Sequence, residues 1–472
     1  MKFNQRHIGP AAAGLAFLVA FAFFLLAYPY HLIRREHMNL FVYDWDYIRQ
    51  TYRGVGWLAR FGSDFVDQFL RFPVVGPVII ALVIVGIAAA AYRICRHFLG
   101  KWPSLAIAAV FYVWSFSRET ENYYCTQYSL VVLGFLVLVL AALRFRKAWM
   151  KPVAAVLFIA FGVWALGSPV HKYWGKPWGL PNLEYDKIIG LDAEIEREHW
   201  DKVMKRSGKD LYMTEASCCY NLAFAMNGQL GHSLFNYAQN YANGLLFWIT
   251  TDISQFSSSI AGEAWFHLGN MTLAEQSAMI ALQASPKHTG ARYLVRLAKV
   301  NLINGEDGAA EKYLGLLGKT LCYGKWARSM MPGHQDEAAK TWIAQERSKL
   351  AVSDFVYSTN DLRPILLGLL EANPSNRMAR EYLLCYDLLI LDLEHFMEDY
   401  SQDMIDAPVY QEGVLIWLSM RNEMTAENAA RFGIGTSAIN RMERFFRYPD
   451  NYRNTYWYYY TREMERLYNE RP

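Results

Sequence analysis

Two patterns of hydrophobic positions divide the chain near residue 170. Before it, the segments 8–33, 72–92, 102–117, 122–143 and 152–171 contain no Asp, Glu, Lys or Arg. A helix rising 1.5 Å per residue needs about 20 apolar residues to cross a hydrocarbon core of about 30 Å. The third segment, WPSLAIAAVFYVWSFS, is short for this. It is kept as a span because Trp102, Tyr112 and Trp114 suit an aromatic belt, and because without it the basic loops on either side would face opposite compartments. The pattern predicts a polytopic transmembrane bundle of about five spans over residues 1–171. The first run exceeds a signal-peptide core and offers no small-x-small cleavage site, so it reads as an uncleaved anchor.

Between the first two spans, residues 34–71 form an amphipathic loop. Leu58, Phe61, Phe65, Phe69 and Phe72 recur every three or four positions with Arg60, Asp64, Asp67 and Arg71 between them, as in a helix lying at a membrane surface. Residues 172–187, rich in Pro and Gly, read as a linker, with Trp174 and Trp178 suited to the interface. From 188 to 472 helical periodicity dominates. A helix ends at Gly269, and a second (AEQSAMIALQAS) is closed by Pro286. TGARYLVRLAKVNLI then ends at Asn304-Gly305 and a further helix follows. Gly269 and Gly305 lie 36 residues apart, near the 34-residue period of tetratricopeptide repeats. Small residues at Ala264, Ala274, Ala281, Ala298 and Ala310 fit close helix packing. Other pairs turn at Asn227-Gly228 and start after Asn373-Pro374, where Ser375 is the expected cap. The expected fold is all-α, the bundle being followed by an irregular TPR-like α-solenoid.

Charge sharpens this division. The first 170 residues carry 16 Lys and Arg against 7 Asp and Glu, whereas the remaining 302 carry 31 against 37. With the N-terminus in the cytoplasm, the inner segments hold nine basic residues and no acid (Lys2, Arg6, Arg93, Arg96, Lys101, Arg144, Arg146, Lys147 and Lys151). The positive-inside rule then places everything after His171 outside. Arg34 and Arg35, directly after the first span, weigh the other way. A hydrophobic share of 53% with 19% charged residues excludes a disordered chain, and the scattered cysteines exclude a disulfide scaffold. Cys218 and Cys219 are expected to be small buried residues. The net acidic second part argues against nucleic acid.

Candidate chemistry is sparse. The sequence has no His-x-x-Glu-His set, Cys-x-x-Cys pair, phosphate-binding Gly-rich loop or Gly-x-Ser-x-Gly elbow, so neither a cofactor nor a metal is expected. Asp44 and Asp46, flanking Trp45, are the one constellation that could bind a divalent cation or act as a base beside a lipid-linked substrate. A short acidic motif just after the first span, followed by surface helices, resembles the polytopic glycosyltransferases that use polyprenyl-phosphate sugars. That resemblance implies a catalytic or metal-contacting role for Asp44 or Asp46 and a polyprenyl-phosphate lipid as partner. The alternative reading of the acids is a solvated turn. For the solenoid, Trp265, Arg292, Tyr293, Arg296, Tyr456, Trp457 and Tyr460 are candidates for a protein-binding surface. For the C-terminal aromatics, capping of the last helix competes with that reading.

Three stretches carry a wider resemblance: FGSDFVDQFLRFPVVGPVIIAL, SPKHTGARYLVRLAKVNLINGEDGAAEKYLGLL and NDLRPILLGLLEANPSNRMAREYLLCYDLL. Through them the chain resembles an uncharacterised bacterial family of inner-membrane proteins with a polytopic N-terminal part and a tetratricopeptide-like periplasmic part. The resemblance implies architecture and no activity. The expected function is a bilayer-anchored scaffold that recruits a protein partner in envelope assembly or export. The alternative is a reduced or partner-dependent glycosyltransferase of the polyprenyl-phosphate type.

Overall fold

The computed structural model describes residues 8–54, 56–121, 125–144, 149–167, 179–208, 213–247, 253–285, 287–350, 361–401 and 406–470. Trp174, Trp178 and Pro286 lie outside them. Among the described residues every regular element is helical and no strand occurs. The chain divides into two compact units. One comprises Met1–Gly190 with Ser285–Val295 and Lys312–Met331, the other Leu191–Ala284, Arg296–Glu311 and Pro332–Pro472.

In the first unit, α1 (Ile8–Ala22) runs into a π-helical turn over Phe23–Ala27, and α2 (Pro29–His37) follows. Pro29 stands in the first turn of α2, where its missing N–H is tolerated. The apolar run read as one helix over 8–33 is therefore two, because the proline cannot continue the first. After α3 (Trp45–Thr51) and α4 (Trp57–Asp67) come α5 (Val75–Cys95), α6 (Lys101–Glu119), α7 (Cys125–Arg144) and α8 (Met150–Gly167). Among the described residues three helices are long and apolar enough to cross a membrane: Gly9–Ala27, Val75–Cys95 and Thr126–Arg144. Helix α6 has 19 residues but buries Ser104, Ser115 and Ser117, and the apolar part of α8 is Met150–Val163. Ile87 and Ile94 of α5, Trp114 of α6 and Val132 and Leu136 of α7 meet in one apolar core. Phe24, Leu32, Leu70 and Ile84 form a second.

In the second unit, helices Gln255–Leu268 and Met271–Ala284 form a tight hairpin. A Cβ on Gly262 would stand 3.0 Å from that of Ser277, and Ala264, Ala274 and Ala281 are buried. Gly269 adopts φ +94°. Its N–H reaches the carbonyl of Phe266 (3.2 Å), and that of Asn270 reaches Trp265 (3.0 Å). This is the Schellman ending that glycine makes at no steric cost. Gly305 repeats it, whereas Leu391 takes the same left-handed turn without glycine's freedom. Helix Arg377–Leu389 is capped by Asn376, whose side chain accepts the Ala379 N–H at 3.0 Å. Ser375, the expected cap, instead donates to Asn373 Oδ1 at 2.6 Å. Cys218 and Cys219 are buried.

The stretch read as a linker, 172–187, is described from Gly179 onward, and Leu183 already opens a helix, Leu183–Glu196.

Candidate functional site in the first interhelical loop

The loop between α2 and α5 holds Asp44 and Asp46, and its α4 places two further acids, Asp64 and Asp67, in an unexpected way. Its apolar side chains pack among themselves: Phe41 meets Phe61 and Phe65 edge-on, with centroids at 5.4 and 5.5 Å. Yet Trp57 and Leu58 remain exposed while Ser63, Asp64 and Asp67 are buried. The helix is amphipathic as expected, with its acids turned inward. Buried acids need charged or hydrogen-bonding partners, and each of these has one.

Arg35 is the hub. Its guanidinium donates to Glu119 Oε2 at 2.8 Å, to Asp67 Oδ1 at 3.1 Å and to the Thr126 hydroxyl. Thr126 donates on to Asp67 Oδ1 at 2.9 Å, and Ser129 to Glu119 Oε1 at 2.5 Å. One cation thus joins α2, α4, the end of α6 and the start of α7.

The other acids hold chain from far along the sequence. Asp64 accepts from Tyr52 Oη at 3.0 Å and pairs with Lys287. Burial pushes its carboxyl up, against the pull of Lys287. Glu36 accepts from Tyr323 Oη at 3.0 Å and pairs with Arg71 at 3.4 Å. Asp44 caps α3 through the Tyr47 N–H at 3.0 Å and pairs with Lys319 Nζ at 2.6 Å. The hydrogen bond from Lys319 holds its carboxyl below the usual carboxylate range. Backbone bonds run beside these pairs: Tyr43 N to Lys319 O at 2.8 Å, and Ala291 N to Asn39 O at 3.0 Å. Together they fix Ser285–Val295 and Lys312–Met331 to the loop.

Asp186 completes the cluster. The break before α2 leaves the N–H groups of Tyr30 and His31 without an intrahelical acceptor, and Asp186 takes both, that of His31 at 2.6 Å. Burial pushes the Asp186 carboxyl up to about 7. Between roughly pH 4 and 7 the folded chain therefore keeps a proton that the unfolded chain has released, so this contribution to stability is lost as pH rises through 7. Unfolding followed at about pH 5 and about pH 8 should show the lower stability at the higher pH. Asp186→Asn, which keeps an oxygen for the same N–H groups, should flatten the slope. Asp387 and Glu412, pushed up to about 7 by burial, retain part of it.

Of the two acids in the sequence motif, Asp44 serves as cap and ion-pair partner, and Asp46 sits exposed in the first turn of α3. Among the described residues no three His, Cys, Asp or Glu side chains gather as a metal site would require. The aromatic and basic candidates for a partner surface are mostly core. Trp265 is 2% exposed, Trp457 1% and Tyr456 0%, and Arg292 and Tyr293 are also buried. Arg296 pairs with Glu263 and lies 3.8 Å from the Phe266 ring centre. Tyr460, half-buried, donates to Met420 Sδ at 3.2 Å. Large aromatic side chains make the biggest apolar contribution when buried, and these helices use them that way. Asp64, Asp67, Glu119 and Lys287 escaped sequence reasoning because their pairing is long-range. The i, i+3 spacing of Asp64 and Asp67 was the one local sign that they share a face.

The chain belongs to a family of unknown function (DUF6057), whose model matches residues 5–175 and 169–463. No curated protein and no solved structure matches it.

Proposed function

We propose, for a family that carries no activity to inherit, that this chain is a membrane-anchored scaffold. In this reading about five N-terminal helices hold it in a bacterial inner membrane with the N-terminus inside. An irregular TPR-like solenoid then recruits a protein of envelope assembly or export on the periplasmic side. One observation carries the reading: Glu36, Asp44 and Asp64 are engaged in holding Ser285–Val295 and Lys312–Met331 rather than gathered around an open site. The hairpin turning at Gly269 supports the repeat-like part. The buried pairing of Arg35 with Asp67 and Glu119 supports the orientation, because a neutralised arginine casts little vote in the positive-inside balance.

The alternative, a partner-dependent glycosyltransferase, keeps one observation in its favour, the exposed Asp46 beside the exposed Trp45. The two readings separate in one comparison. Asp44→Asn with Asp46→Asn keeps an oxygen that accepts the Tyr47 N–H and removes only the exposed ion pair with Lys319, so the thermal midpoint should hardly move. Complexes released from native membranes and weighed by mass spectrometry should keep the same protein partner. Sugar transfer from a polyprenyl-phosphate donor in vesicles, lost in the double variant, would overturn the scaffold reading.

A further inference from the structure

A groove of about 260 Å³ lies between α1, α5 and α6. Its walls are small: Ala12 and Ala16 from α1, Ala88 and Ala89 from α5, Ala108 and Ala109 from α6. At one end the Tyr112 hydroxyl donates to the Ala16 carbonyl at 2.8 Å. At the other, a Cβ on Gly9 would lie 4.0 Å from the Tyr92 ring. The lining runs from Val85 to Tyr92 along α5, about 10 Å at helical rise. The small side chains along this length leave an apolar slot that a slim hydrocarbon chain can enter.

Charge identifies what enters. Arg96 stands one helical turn beyond Tyr92, and Lys101 one turn before Leu105, so both continue the stripes that line the groove. They stand at the Gly9–Tyr92 end, and Arg96 is exposed. No Asp or Glu occurs in the chain between Asp67 and Glu119. An apolar slot ending in two cations matches a lipid with a slim tail and an anionic headgroup. On the proposed orientation this end meets the cytoplasmic leaflet, where anionic lipids concentrate.

We propose that the groove holds one acyl chain of an anionic glycerophospholipid, with its phosphate at Arg96 and Lys101. The site is independent of what the solenoid binds.

The test uses the full-length protein in nanodiscs doped with phosphatidylglycerol carrying a diazirine midway along one acyl chain. Photolabelling should fall on the α1, α5 and α6 peptides that line the groove. Unlabelled phosphatidylglycerol should compete and phosphatidylcholine should not. Arg96→Gln with Lys101→Gln, at the groove mouth and away from the apolar core, should weaken labelling about thirtyfold, as expected for the loss of two interfacial cations. Ala88→Leu with Ala109→Leu, which fills the slot, should abolish it. Labels spread equally over α7, labelling that survives both double variants, or stronger competition by a polyprenyl phosphate would each overturn the proposal.

Discussion

Arg35→Ala is expected to destabilise the first unit by about 3–5 kcal/mol, the range for removing one partner of a buried ion pair. The guanidinium is 4% exposed and faces a Glu119 carboxylate that is wholly buried. Truncation leaves Glu119 and Asp67 as two negative groups with only hydroxyl donors, since Thr126 and Ser129 cannot supply charge. Like charges held together in a poorly hydrated place repel, and neither can turn to water without opening the packing of α4 against α7. The size of the effect comes from the stranded acids more than from the lost attraction. Arg35→Met combined with Asp67→Asn and Glu119→Gln should therefore recover most of the stability, although it removes every charge. Unfolding of the detergent-solubilised protein gives both numbers. A loss below about 1 kcal/mol for Arg35→Ala would mean the cluster behaves as an exposed pair, and a triple variant weaker than the single would refute the stranded-acid account.

The legible and illegible parts of this molecule differ in range. Uninterrupted apolar length located α1, α5 and α7, because crossing a bilayer is a local demand on consecutive residues. Gly269 and Gly305 marked helix ends because a left-handed turn is also local. Pro29 carried its own signal, a proline inside an apolar run, and it divides the first helix where the run alone implied continuity. Asp44 likewise stands directly before a helical stretch, as a cap does, so this role is a local one. By contrast, Asp64 and Lys287 are 223 residues apart, and Asp44 and Lys319 are 275 apart. No periodicity links such pairs, so the acids of α4 read as the polar positions of a helix at a membrane surface, whereas they are buried. For the same reason helical pattern alone could not tell that Ser285–Val295 and Lys312–Met331 pack with the first unit.

Trp457→Ala should cost the second unit about 3–5 kcal/mol, as for other large aromatics removed from a core. Trp457 is 1% exposed. Its indole N–H donates to the Glu412 carbonyl at 3.2 Å, the Arg441 guanidinium lies 5.1 Å from the ring centre, and Phe445 packs at 5.9 Å. The neighbouring Tyr456 N–H donates to Glu412 Oε2 at 2.7 Å. Deleting the indole leaves a cavity beside a buried glutamate that also pairs with Arg441, so the loss combines lost transfer energy, an unfilled space and a disturbed ion pair. Trp457→Phe should fall between wild type and alanine, since it refills most of the space without the N–H. Tyr460→Ala, one turn further on and half-buried, should cost under about 1 kcal/mol. The contrast bears on how any partner is sought. If the aromatic run were an interface, Trp457→Ala would spare stability and abolish binding. On the packing described here it lowers the thermal midpoint first, and binding fails only as the helices unfold, whereas Tyr460→Ala leaves the midpoint in place and tests the surface alone. A Trp457→Ala protein that melts like wild type would return this tryptophan to the surface.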